Sequence, residues 1–142
     1  MIQMVSGIVH MALGSIGPAV QVPTAVVVDD FPVMRELLRE FLKRCGLEVV
    51  GEAGTAQELF QGYPQWRPDL VVLDVLLPDG NGIEVTKNLI ATDPEAKILV
   101  ISGLEGDLKM TGDCMAAGAK AFLPKPFSRE DFVRTIESMM KA

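Results

Sequence analysis

Five short apolar runs divide the chain, and between them lie longer stretches in which apolar residues recur every three or four positions. The runs are Thr24–Asp29 (TAVVVD), Glu48–Ala53, Leu70–Leu73, Lys97–Ser102 (KILVIS) and Ala121–Leu123. Most are unbroken and rich in Val, Ile or Leu, which predicts strands buried on both faces. After Pro32, suited to the first position of a helix, Val33, Leu37, Phe41 and Cys45 recur with Met34, Leu38 and Leu42 beside them. That predicts one apolar stripe, with Arg35, Glu36, Arg39, Glu40 and Lys43 facing water and Gly46 closing the helix in a left-handed conformation. Thr55-Ala-Gln-Glu58 is a capping box opening a second helix, which Tyr63, Pro64, Trp66 and Pro68 bring to a close. Ile83–Ala91 predicts a third helix. A fourth follows Ser102 and contains Gly106 and Gly112, each costing about 1 kcal/mol relative to Ala if interior. Ser128-Arg-Glu-Asp131 opens the last helix, whose stripe is Phe132, Val133, Ile136, Met139 and Met140. Strand and helix thus alternate five times with short connections. The fold class this predicts is α/β: a parallel sheet with helices on both faces and right-handed crossovers.

Bulk properties narrow the function without naming it. At 142 residues the length fits one domain with a sizeable core. A net charge of −6 argues against a nucleic-acid-binding surface. Cys45 and Cys114 lie in separate helical patterns with no CxxC, which favours reduced, packed thiols and a cytoplasmic setting. From Met1 to Val28 there is no Asp, Glu, Lys or Arg, and His10 is the sole titratable side chain. The apolar stretch lacks the basic start of a signal peptide and is too short, and too broken by Gly7, Gly14, Gly17 and Pro18, for a membrane span. Residues 1–23 therefore read as a flexible extension, and 24–142 as the domain.

In a parallel sheet every strand ends on the same edge, so Asp29, Asp30, Asp74, Ser102 and Lys125 converge there although far apart in sequence. Singly, each has a bland explanation: an Asp after a strand caps a helix, Ser102 is a turn residue, Lys125 is solvated. Five polar groups at the ends of four apolar strands make coincidence a poor account. Two carboxylates at about 5 Å in an effective dielectric of about 20 repel by roughly 3 kcal/mol. A divalent cation relieves this, and few protein ligands on an open edge favour Mg²⁺ over a calcium cage. A metal, an ammonium and a hydroxyl suit the transfer of a phosphoryl group to a carboxylate, with Asp74 at the end of the central strand as nucleophile.

These residues resemble a known family. The Asp29-Asp30 pair, Asp74 followed by LLPDGNG, Ser102 before Gly103, and Phe122-Leu-Pro-Lys125-Pro126 look like the CheY-like receiver domain of bacterial two-component response regulators, over about Thr24 to Lys141. The resemblance implies a flavodoxin-like, doubly wound (βα)5 fold with sheet order 2-1-3-4-5. It implies Asp74 as phosphoacceptor in a phosphorelay, with Mg²⁺ held by Asp30, Asp74 and the Leu76 backbone carbonyl and aided by Asp29 through water. Ser102 and Lys125 would contact the phosphoryl oxygens, Ser102 and Phe122 would form the switch, and the Lys125–Pro126 bond would be cis. Ser102 stands where Thr is commoner, and Phe122 lacks the hydroxyl of a Tyr. Asp79, in a Pro-Asp-Gly context, reads as a turn residue. Leu76 and Leu104 would flank the path of a hydrolytic water and, being apolar, imply a long-lived phosphoryl group. The implied partners are a sensor histidine kinase or phosphotransfer protein and an effector on the face of the fourth helix, last strand and last helix. A phosphorylation-dependent homodimer is open; nucleic acid and membrane are not expected partners. No enzyme activity is expected beyond the domain's own phosphorylation and dephosphorylation. The rivals are a haloacid-dehalogenase-like phosphohydrolase, a flavodoxin-like nucleotide binder and a receiver-shaped interaction module. The first needs DxDxT after the first strand, where Asp29-Asp30-Phe31-Pro32 stands. The second needs a Gly/Ser/Thr-rich phosphate loop in the same place. The third would have lost phosphorylation, against an intact acidic, hydroxyl and Lys set. Since no effector domain follows Ala142, the chain reads as a stand-alone or an excised receiver.

Overall fold

The computed structural model describes residues 21–103 and 108–141. The expected N-terminal extension up to residue 20, together with Leu104 and Gly106, lies outside the described residues. Five strands, β1 (Thr24–Val28), β2 (Glu48–Ala53), β3 (Leu70–Asp74), β4 (Lys97–Ser102) and β5 (Ala121–Pro124), form one sheet. Their spatial order is β2-β1-β3-β4-β5, all parallel. Five helices connect and follow them: α1 (Pro32–Arg44), α2 (Ala56–Trp66), α3 (Gly82–Thr92), α4 (Leu108–Ala117) and α5 (Arg129–Lys141). A small antiparallel hairpin, Leu76–Leu77 with Gly80–Asn81, interrupts the β3–α3 connection and stands outside the main sheet.

Alternate strand residues supply two separate cores, as the period of two along a strand requires. Val26, Val28, Val71, Leu73, Ile98 and Val100 pack with α2, α3 and α4 through Leu59, Val85, Leu89 and Cys114. Ala25, Val27, Leu70, Val72, Leu99 and Ile101 pack on the opposite face with Leu38 and Leu42 of α1 and Phe132, Ile136 and Met139 of α5. The sheet is therefore doubly wound, and both cysteines are free thiols.

Helix ends follow local chemistry. Gly46 has φ +86°, with Gly46 N–H donating to Lys43 O and Leu47 N–H to Leu42 O, the paired bonds of a Schellman cap. Thr55 Oγ1 accepts from Glu58 N–H at 3.0 Å, and Ser128 Oγ from Asp131 N–H at 3.0 Å, so both expected N-caps form. The α1 stripe is narrower than its periodicity predicts. Leu38 and Leu42 are buried, but Val33 is 69% and Leu37 41% exposed. Met34, Phe41 and Cys45 pack at the margin of the core around Leu38 and Leu42, while Val33 and Leu37, in the first two turns, stay at the surface. The second helix also runs through Pro64 to Trp66, ending where Arg67 turns left-handed at φ 42°.

Candidate functional site

The polar edge is assembled by strand ends. β1 stops at Val28, so Asp29 and Asp30 open the next loop, Asp29 buried at 1% exposure and Asp30 facing solvent. Asp29 is held from three sides. Its N–H donates to Ala53 O at 3.0 Å, its carbonyl accepts from Arg35 Nη1 at 2.7 Å, and its Oδ1 accepts from Phe31 N–H at 2.9 Å. Asp74 is the last residue of the central strand β3 and is buried. Its Oδ1 accepts from Leu76 N–H at 3.0 Å and its Oδ2 from Lys125 Nζ at 3.0 Å. Lys125 Nζ also stands 3.5 Å from Asp29 Oδ2, so one ammonium bridges two carboxylates at the ends of the neighbouring strands β1 and β3. One carboxylate oxygen from each of Asp29, Asp30 and Asp74 lies within 4.8 Å of the others.

Ser102 ends β4, fully buried, and its carbonyl accepts from Lys125 N–H at 2.7 Å. That bond seats the residue after β5 against the end of β4. The Lys125–Pro126 peptide bond is cis. Phe122 is half-buried on the face of the sheet covered by α2, α3 and α4, packed against the same core as Met110 of α4. The structure thus brings Asp29, Asp30, Asp74 and Lys125 together, with Ser102 at the neighbouring strand end and Phe122 behind it.

Three carboxylates against one ammonium leave the cluster with a formal excess of negative charge. Asp29 records the cost: burial, and after it the charge of Asp74, push its carboxyl above the usual range, although the Phe31 N–H and Lys125 pull it down. All the acidic ligand atoms are hard oxygens, one side of the cluster is open through Asp30, and their spacing suits a small divalent cation. The donor set fits Mg²⁺.

Three functional contacts escape a reading of periodicity. Asp79, expected in a turn, accepts from the Ala56 and Gln57 N–H groups at 2.8 and 3.0 Å, reaching across to the start of α2. Arg35, expected to face water, bonds both the Asp29 carbonyl and Glu52. Asn81 caps α3 by accepting from Glu84 N–H at 2.9 Å; its spacing to Glu84 is a legible N-terminal signature. Around the acids lies an apolar rim: Phe31 is 61%, Val33 69% and Leu76 57% exposed. Beside it Met34, Leu37, Lys125, Pro126 and Phe127 line a groove of about 410 Å³.

Comparison with known proteins gives this geometry its family. Residues 25–137 match the model of the response regulator receiver domain. The chemotaxis protein CheY of Thermotoga maritima is 36% identical over 116 residues, spanning 82% of this chain and 96% of that protein. A two-component response regulator of the LuxR family from Aurantimonas sp. SI85-9A1 superposes with TM-score 0.79 at 32% identity, over 85% of this chain and 86% of that one. A chain of the CheX–CheY–BeF3–Mg²⁺ complex from Borrelia burgdorferi superposes with TM-score 0.75 at 27% identity, over 83% of this chain and 89% of that one. An acidic pair after β1, an acid ending the central strand and a Lys after β5, on a sheet of this order, therefore stand in a recognised frame: the chain belongs to the receiver domains of two-component response regulators.

Proposed function

We propose that the domain is a phosphorylation-dependent switch in which Asp74 accepts a phosphoryl group from a sensor histidine kinase or phosphotransfer protein. The observation that carries this reading is the position of Asp74, held at the end of β3 by Leu76 N–H and Lys125 Nζ within the acidic cluster. A carboxylate oxygen of Asp74 attacks phosphorus, and the phosphorus–nitrogen bond of the donor phosphohistidine breaks as the P–O bond forms. Lys125, already oriented on Asp74, offers its ammonium to the incoming phosphoryl oxygens, and the Ser102 hydroxyl at the adjacent strand end offers a further donor. Bound by Asp29, Asp30, Asp74 and the Leu76 carbonyl, Mg²⁺ would supply the positive charge that offsets both the carboxylates and the developing phosphoryl charge.

The exposed rim of Phe31, Val33 and Leu37 offers the donor protein an apolar seat beside the acceptor. Signal output runs through Ser102 and Phe122 to the face formed by α4, β5 and α5, where an effector or a second copy of the domain docks. The chemistry is confined to the domain's own phosphorylation and dephosphorylation. No helix among the described residues is long and apolar enough to cross a membrane, in keeping with a cytoplasmic partner kinase domain.

The test is labelling with acetyl phosphate in the presence of Mg²⁺, followed by intact-mass spectrometry. Wild type gains one phosphate and Asp74→Asn gains none. Equal labelling of both would overturn the assignment of Asp74.

A further inference from the structure

Asp79 lies five residues beyond Asp74, is exposed, and takes no part in the acidic cluster. Both its carboxylate oxygens are nevertheless used, accepting from Ala56 N–H at 2.8 Å and Gln57 N–H at 3.0 Å. Those donors pull its carboxyl below the ordinary value. The first turn of α2 already has a cap of its own in Thr55, which takes the Glu58 N–H. Of the four N–H groups a helix start leaves without partners, Asp79 therefore satisfies two from a distant loop rather than from the helix's own flank.

What Asp79 adds is a tie between two arms of the site. On one side it belongs to the β3–α3 loop, three residues after Leu76, in a segment folded by the Leu76–Asn81 and Leu77–Gly80 pairs. On the other side the start of α2 leads straight back to the acidic pair. Glu58 Oε1 accepts from Gly54 N–H at 2.7 Å, and Ala53 O accepts from Asp29 N–H at 3.0 Å. We propose that Asp79 is a positioning residue for the cation site, clasping the loop that carries Leu76 against the start of α2, whose preceding strand end holds the backbone of Asp29. This rests on the reading of Asp74 and its neighbours given above. The clasp acts on backbone placement: Leu76 N–H orients Asp74 Oδ1, and a loop that drifts carries that donor away.

The experiment compares wild type, Asp79→Ala, Asp79→Asn and Thr55→Ala by Mg²⁺ titration calorimetry, acetyl phosphate labelling rate and thermal unfolding. Thr55→Ala removes a cap from the same helix without touching the loop, so it isolates helix stability from the clasp. Asp79→Ala is expected to weaken Mg²⁺ binding about tenfold, the effect typical of losing an outer-shell partner, and to slow labelling. Asp79→Asn keeps one acceptor and falls between, and it carries the test should the Ala variant not fold. Thr55→Ala is expected to lower the melting temperature while binding Mg²⁺ as wild type does. Unchanged Mg²⁺ affinity in both Asp79 variants, or an equal loss in Thr55→Ala, would overturn the clasp. Wild type that takes up neither Mg²⁺ nor phosphate would remove the reading of the site itself, and the clasp with it.

Discussion

Asp29 shows how a single residue can work against the fold that holds it. Ala53 and Arg35 fix its backbone and Phe31 N–H holds its Oδ1, in a place where 1% of the residue reaches solvent. Burial and the neighbouring Asp74 charge raise its pKa above the ordinary 3.8. Between those two values the native state keeps a proton that the unfolded chain has released, so stability falls as pH rises through that window. Asp29→Asn keeps an acceptor for Phe31 N–H and removes the charge. Without divalent cation it should unfold at higher temperature than wild type near neutral pH. The gap should close as pH falls to the ordinary carboxylate value, and added Mg²⁺ should stabilise wild type alone. Thermal melts across that range with and without Mg²⁺ check this, and a variant less stable than wild type at neutral pH without metal would contradict it.

At the scale of elements, α2 depends on one ring. Trp66, the single Trp of the chain, lies over Gly51 of β2 and Gly62 one turn earlier in its own helix. A Cβ at either glycine would overlap the indole. For Gly62 two effects compete. Ala is better than Gly inside a helix by about 1 kcal/mol, whereas forcing a methyl group into a filled contact costs about 1–3 kcal/mol. The ring is confined from both sides, so the steric term should win. Gly62→Ala is expected to lower the free energy of unfolding and to shift Trp66 emission, both readable in one urea titration followed by fluorescence. A variant more stable than wild type, with unchanged emission, would show that the ring moves freely.

Across the whole molecule, anchoring is uneven. α5 buries Phe132, Ile136 and Met139, and α3 buries Val85, Thr86 and Leu89, while α4 buries only Cys114 and Ala117 among its described residues. Gly112 lies within α4 and weakens it further. A helix so held belongs to the low-stability end of the fold, where switching elements are drawn from. It follows β4, whose end is Ser102, and packs against β5, the strand that carries Phe122. A phosphoryl group on Asp74 that engages Ser102 would shift the balance of two states only through contacts that differ between them, and α4, lightly anchored and next in the chain after Ser102, is placed to change its contacts. Beryllofluoride with Mg²⁺, a phosphoryl mimic, should therefore alter hydrogen exchange in Leu108–Ala117 and β5 more than in α5. Unchanged exchange in Leu108–Ala117 would exclude α4 as the moving element.

Periodicity alone was enough for the five strands, the alternation with helices, the doubly wound class and the sharing of one edge by Asp29, Asp30, Asp74, Ser102 and Lys125. Buried parallel strands and capped helices write themselves into the chain because burial and hydrogen bonding at their ends act locally. The cap spacings Thr55–Glu58 and Ser128–Asp131 were legible for the same reason, and Asn81–Glu84 carries the same signature. Tertiary structure alone decided which flank of α1 meets the sheet, and so left Val33 and Leu37 at the surface. It also decided that Asp79 grips α2 from 22 and 23 residues away, and that Lys125 reaches Asp74 and Asp29 from 51 and 96 residues away. Such bonds join groups whose separation in the chain bears no relation to any helical or strand period. They exist only once the sheet has brought its strand ends together.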